Sequence, residues 1–362
     1  MVWQGQYDKL YIGGAWADPA TGETIEVVSP FSEQPIARVP SAGREDIDRA
    51  VAAARRAFGS GPWPRMPLEE RIAAVGRLRA AFERRRETLA QLVTDEMGSP
   101  IGFSKALQAG VPVLMLDAFM EIARNYPLRS LRRSATGNDL VVREPKGVVV
   151  AIVPWNVPMM TTMMKLGPAL LMGCTVILKP APETPLSAYL LGEMLDEAGI
   201  PEGVVSILPA GREASEYLAL HPGVDKVTFT GSTVAGRHLA ARCGELVRPI
   251  TLELGGKSAA IFLDDADIDA GVEALRLGSL RNSGQVCSLK TRILVSKRRE
   301  AALLDRFARS STRCRSATRT TPPPRSARWS PGARWSGCRA ISTPGSATAP
   351  APSAAAPVVR RA

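Results

Sequence analysis

The apolar positions change period twice along the chain. Between residues 8 and 40 they alternate with polar ones in short runs broken by Gly and Pro, as in KLYIGGAW and TIEVVSP, which predicts short strands and turns. A helical period follows. REDIDRAVAAARRAF (44–58) sets Ile47, Val51 and Ala54 at helical spacing, and LEERIAAVGRLRAAFERRRETLAQLVTDEM (68–97) does the same over several turns with charged residues opposite. These predict two amphipathic helices whose arginines form a solvated face.

From 147 to 262 the period shortens again. The β-rich runs GVVVAIVP, TVILKP, VVSILP, KVTFTG, ITLELGG and SAAIFL alternate with the helical runs MMTTMMKLGPALLMG, PLSAYLLGEMLDEAG, EASEYLALH and VAGRHLAARCG. Strands this continuously apolar, alternating with helices, predict an α/β fold with a doubly wound parallel sheet covered on both faces. Such sheets bind ligands at the C-terminal ends of their strands. The methionines at 159–164 read as core filling.

Composition changes this picture in three places. A chain of 362 residues can hold two domains or three. The net charge of +11 is not spread evenly, because residues 309–362 hold ten arginines and no acid, leaving +1 on residues 1–308. The basic balance is therefore no sign that the folded part binds nucleic acid or anionic lipid. The five cysteines, Cys174, Cys243, Cys287, Cys314 and Cys338, are scattered and form no C-x-x-C pair, which argues against a disulfide framework and against a metal site. A reducing cytoplasm fits that usage. MVWQGQYDKL shows no export signal, and no apolar run approaches ~18 residues without Gly, Pro or Lys, so neither export nor a membrane span is expected.

Candidate chemistry gathers at the predicted strand ends. PWNVP (154–158) is a turn punctuated by prolines, in which Asn156 could offer an amide N–H to a developing oxyanion. Lys179 ends TVILK and alone would be a surface lysine. FTGSTVAG (229–236) passes from strand to helix through Gly231 and Ser232, a place for a phosphate or merely a helix cap. Glu253 in LELGGK sits in an apolar strand, where a carboxylate must be paired, hydrogen-bonded or raised in pKa as a general base requires. Cys287 in LRNSGQVCSLKTRIL follows a glycine-containing polar turn; an isolated cysteine is more often a small buried apolar residue. His221 and His238 lie at surface-like helix positions, so no Cys–His dyad is expected.

In this order and spacing the motifs resemble the aldehyde dehydrogenase superfamily, over essentially all of residues 8–308. The resemblance implies an aldehyde-dehydrogenase-like fold: a Rossmann-like coenzyme domain (1–125 and 150–256), an oligomerisation arm (126–149) and the start of an incomplete α/β catalytic domain (257–308). It implies Cys287 as nucleophile, Glu253 as general base, Asn156 as oxyanion donor and Lys165 as the lysine near the active site. Ile152, Pro154, Trp155, Lys179, Gly231, Ser232 and Gly255 fall at the dinucleotide contacts. The presence of Glu253 matches the hydrolytic branch, which oxidises an aldehyde to a carboxylic acid through a cysteine thioester, rather than the CoA-acylating one. Many NAD-preferring members carry a glutamate three residues after the lysine; here that position is Pro182 and the acid is Glu183, so NAD and NADP both fit. The implied partners are a small aldehyde and further copies of the chain, with no membrane and no nucleic acid.

Residues 309–362 break the resemblance. Their only branched aliphatics are Ile341, Val358 and Val359, and a stretch of this kind is expected to be disordered. Shifting the reading frame within RCRSATRTTPPPRSARWS (313–330) permits A-L-P-V-G-D-P-x-D-P-A-T-x-I-G-P-L-V, and RAIST (339–343) permits G-Y-I-D, both family-like. The expectation is a frameshift close to Ala308, leaving the chain without the arm's partner strand and the downstream glutamate and therefore weakly active or inactive. Two rivals are a basic tail that binds nucleic acid and a pseudoenzyme that binds nucleotide only.

Overall fold

The computed structural model describes the backbone of residues 7–316 and the side chains up to Ser310. The first strands, β1 (Leu10–Ile12) and β2 (Ala15–Ala17), form a hairpin whose two-residue turn needs left-handed backbone at both positions, supplied by Gly13 (φ 61°) and Gly14 (φ 82°). A separate antiparallel pair follows, β3 (Thr24–Val28) and β4 (Pro35–Pro40). Helix α1 (Arg44–Gly59) buries Ile47, Val51 and Ala54 as the spacing predicts, and Asp46 accepts the N–H of Gly43 at its start.

The second predicted helix is two. α2 (Leu68–Arg84) and α3 (Arg86–Met97) are separated at Arg85, whose backbone leaves helical geometry (φ −98°, ψ 11°). Apolar period alone could not show this break, because Leu78, Phe82, Leu89 and Val93 are all buried across it. α3 ends at Gly98 in the left-handed region. The short α4 (Ile101–Phe103) runs through a π-turn at Ser104–Gln108 into α5 (Gly110–Asn125). The stretch Ile101–Asn125 is long and apolar enough by composition to cross a bilayer, although Gly102, Lys105, Gly110 and Pro112 interrupt it. Its face carrying Val113, Leu116, Met120 and Ala123 is packed into the core instead.

After α5 comes an exposed hairpin, β5 (Arg129–Ser134) and β6 (Gly137–Val142), within the predicted arm. Then the alternation begins: β7 (Val148–Ile152), α6 (Pro158–Leu171), β8 (Thr175–Lys179), α7 (Leu186–Glu197), β9 (Val205–Ile207), α8 (Arg212–Leu220), β10 (Lys226–Gly231), α9 (Thr233–Glu245) and β11 (Ile250–Leu254). The sheet order is β11-β10-β7-β8-β9-β1-β2, with β7 to β11 parallel. Val149 and Ala151 face a core with α2, α3, α5, α6 and α7, while Val148, Val150 and Ile152 face one with α1, α8 and α9. This is the doubly wound sheet expected, and Met159 and Met163 fill its core.

The last predicted run, SAAIFL, leaves this sheet. β12 (Ala259–Phe262) pairs in parallel with β13 (Arg292–Val295), after Gly255 to Ser258 carry the chain across exposed ground. With α10 (Ile268–Ser279), the tight turn α11 (Arg281–Gly284) and α12 (Glu300–Ser316) it forms a small unit around Phe262, Val272, Leu275 and Leu303. The expected disorder from residue 309 is corrected in part: α12 continues to Ser316 and buries Ser310, because the apolar spacing of Leu303 and Phe307 carries the helix past Ala308. The frame-shifted readings of 313–330 and 339–343 lie, from residue 317 on, outside the described residues.

Candidate active site at the strand ends

β7 is the first strand of the alternation, with β8 and β9 laid down on one side and β10 and β11 on the other. The order therefore reverses between β7 and β10, which opens a crevice at their C-terminal ends. Ile152 ends β7 in register with Lys179 on one side and Phe229 on the other. Pro154, Trp155 and Asn156 make the half-buried turn into α6, and Pro158 occupies the first turn of that helix, where its missing N–H costs nothing. Across the crevice, Ser232 caps α9 by accepting the N–H of Ala235 at 3.2 Å, and Gly231 O accepts the N–H of Gly255 at 3.3 Å.

Two lysines are buried here. Lys179 is only 7% exposed, and burial pushes its pKa down to about 8, opposed by the nearby Glu183 carboxylate. Lys165 reaches from α6 to the hydroxyl of Thr228 at 3.1 Å; burial lowers its pKa to about 8, against the pull of Glu253 and with the push of Lys226. Lys165 and Glu253 thus share one electrostatic neighbourhood. Glu253 itself is exposed on the edge strand β11, so the premise of a carboxylate in an apolar interior fails: an edge strand leaves one side of its residues to solvent.

The turn before Cys287 is built from left-handed backbone at Asn282 (φ 52°), Ser283 (φ 54°) and Gly284 (φ 77°). Asn282 is buried and holds the turn by three bonds. Its Oδ1 accepts Ser99 Oγ–H at 2.8 Å, and its Nδ2 donates to Asn156 O at 3.0 Å and to Gln285 O at 3.2 Å. Asn156 Nδ2 donates to the same Gln285 carbonyl at 2.9 Å, and Gln108 Nε2 donates to Asn156 O at 3.0 Å. The oxyanion candidate and the turn two residues before Cys287 are therefore tied directly together.

Cys287 is exposed and is a free thiol. Among the described residues no hydrogen bond joins it to Asn156 or Glu253. The histidines are engaged elsewhere: His221, its side chain largely covered, pairs with Asp48 at 3.2 Å and His238 with Glu216 at 2.7 Å. No group of His, Cys, Asp and Glu among the described residues could hold a metal ion. Sequence reasoning missed Ser99, Gln108 and Asn282. The N-S-G before Q-V-C was a usable signal for left-handed backbone at Asn282; Ser99 and Gln108 offered none, being brought in by tertiary packing alone.

Residues 16–322 match the aldehyde dehydrogenase family. Geranial dehydrogenase of Castellaniella defragrans is 42% identical over 303 residues, covering 83% of this chain and 63% of that protein. The mitochondrial benzaldehyde dehydrogenase of Antirrhinum majus is 40% identical over 304 residues, covering 81% of this chain and 55% of that protein. Among solved structures, a Mycobacterium tuberculosis aldehyde dehydrogenase complexed with NAD+ superposes with a TM-score of 0.83 at 41% identity, covering 85% of this chain and 64% of that one. A Pseudomonas syringae aldehyde dehydrogenase variant complexed with NAD+ and octanal gives 0.80 at 35% identity, covering 84% and 62%. The chain spans between 55% and 64% of the length of these relatives. On its sheet, its crevice and this similarity, the chain belongs to the aldehyde dehydrogenase family.

Proposed function

We propose that the chain carries the coenzyme-binding region and nucleophile turn of an NAD(P)-dependent aldehyde dehydrogenase of the hydrolytic kind. The observation that carries this reading is the bond from Asn156 Nδ2 to Gln285 O, 2.9 Å, which sets the oxyanion candidate against the turn that presents Cys287. The exposed Cys287 thiol gives its S–H proton to water, and the thiolate Sγ adds to the aldehyde carbon, forming a C–S bond as the carbonyl electron pair moves to oxygen. Asn156 spends one amide N–H on Gln285 and keeps the other for that oxyanion, beside the backbone N–H of Cys287. Hydride departs from carbon and the thiohemiacetal becomes a thioester. The Glu253 carboxylate then takes a proton from water as the water oxygen adds to the thioester, and the Cys287 thiolate leaves the carboxylic acid.

The residues fit a dinucleotide. Ile152, Pro154 and Trp155 edge the crevice, Lys179 closes it at β8, and α9 opens at Gly231 and Ser232 with the positive end of its dipole, while a Cβ at Gly255 would meet open space. When bound, NAD(P)+ supplies the acceptor for the hydride. Glu183 close to Lys179 favours free ribose hydroxyls over a 2′-phosphate, and so NAD+ over NADP+. Three free thiols, Cys174, Cys243 and Cys287, support a reducing compartment such as the cytoplasm. Leu131, Leu140 and Val142 on the exposed hairpin support self-association through the arm.

The test is NADH formation at 340 nm from NAD+ with octanal and with benzaldehyde. The chain as given is expected to turn over weakly or not at all and the product of the restored reading frame to turn over, its rate falling by about 10³-fold or more in Cys287→Ser. Turnover unchanged in that variant would contradict the reading, and NAD+ binding with no turnover by the restored product would favour the nucleotide-only alternative.

A further inference from the structure

We propose that Glu96 is a positioning residue for the adenosine end of the dinucleotide, acting from behind the site through the first turn of α7. This rests on the nucleotide reading above. Glu96 lies near the end of α3 and is 2% exposed. Its Oε2 accepts the N–H of Leu186 at 2.9 Å, and its Oε1 accepts the N–H of Ser187 at 3.2 Å. These are the first two N–H groups of α7, which have no partner within their own helix. The residue before them is Pro185, whose side chain cannot cap. Glu96 therefore supplies the cap from ninety residues away in sequence, as the N-terminal end of a helix dipole favours.

The consequence reaches the site through the loop that Glu96 ends. Residues 180–185 join Lys179 to α7 and hold three prolines, Pro180, Pro182 and Pro185. At one end the sheet fixes the loop, with Leu178 O accepting the N–H of Leu208 at 2.9 Å and Lys179 O that of Val153 at 3.1 Å. Inside it a single turn is closed by Thr184 N–H on Ala181 O at 3.0 Å. At the other end Glu96 fixes it. Between two anchors and three rigid φ angles, the loop has little freedom, and Glu183 is held close to Lys179. Burial raises the Glu96 carboxyl pKa, opposed by the N–H groups it accepts, and Oε2 alone reaches both helix N–H groups, Leu186 at 2.9 Å and Ser187 at 3.4 Å, so one acceptor oxygen in that place is the form the cap needs. A glutamine reproduces that form; an alanine does not.

The experiment measures the Kd of NAD+ and of AMP by calorimetry on the full chain, with melting temperature recorded for each variant. Glu96→Ala is expected to weaken both ligands by about tenfold, and Glu96→Gln to restore most of the loss. Leu275→Ala, in the separate core around Phe262, serves as a control that lowers the melting temperature without touching the loop, and its Kd values are expected to match wild type. Equal Kd values in Glu96→Ala and wild type would overturn the proposal, as would an equal weakening in Leu275→Ala. A wild-type chain that binds neither ligand would overturn the nucleotide reading itself, and the role of Glu96 with it.

Discussion

Asn282 is the residue through which the two halves of the candidate site meet. Its amide holds Asn156 O and Gln285 O at once, and its backbone sits in the left-handed region that Asn tolerates better than most residues. Asn282→Ala removes both bonds and strains the turn. Turnover is expected to fall by about 10- to 100-fold, since a shift of about 1 Å at the reacting atoms costs that much. NAD+ affinity, set by the strand ends, is expected to stay within about twofold of wild type. Steady-state rates and calorimetry on the variant check this split.

Lys165 makes a separate prediction at the same scale. A buried lysine with its pKa lowered to about 8 contributes stability that is present above the unfolded value of 10.5 and is lost as pH falls through 8. Lys165→Met has no charge to bury. Its melting temperature is expected to exceed that of wild type at pH 6 to 7, with the gap closing as pH rises towards 10. A gap that widens with pH would contradict the assignment. Asn156, Lys179 and Cys287 stood out in the sequence only through their order and spacing together, since alone Lys179 reads as a surface lysine and Cys287 as a small buried residue. Asn282, Gln108 and Glu96 did not, because their roles arise from partners 48 to 183 residues away.

Among the elements, the strand–helix alternation from β7 to β11 was fully visible, since β7, β8 and β9 are buried on both faces and each break carries Gly or Pro. The break at Arg85 was invisible because no glycine or proline marks it. The departure of β12 was invisible because an apolar run does not say which sheet it joins. Gly98 shows an element's end that only the structure explains. It stops α3 at φ 77°, and a Cβ there would meet Pro30 Cγ at 2.7 Å. Gly98→Ala is therefore expected to destabilise the fold by about 1 to 3 kcal/mol, read from urea unfolding. Because Ser99 follows and holds Asn282, turnover in that variant is expected to fall as well.

For the molecule as a whole, charge and fold separate except at one helix. The excess of arginine lies after residue 308, the sheet and the crevice lie before it, and only α12 of the small unit crosses it, ending at Ser316. The family match nevertheless runs to residue 322. Sequencing the DNA across codons 300–345 tests the frameshift reading, with a one- or two-base change that restores the family frame as the expected result. An unaltered frame would leave the arginine-rich residues as true protein and remove that reading.

The central claim is that Cys287 carries the substrate as a thioester which Glu253 helps to hydrolyse. Mixing Glu253→Gln with octanal and NAD+, and mapping the protein by peptide mass spectrometry, tests it directly. The account predicts a burst of about one NADH per chain that then stalls, with an octanoyl group on Cys287. No acyl group on Cys287, or one on a different residue, would contradict it.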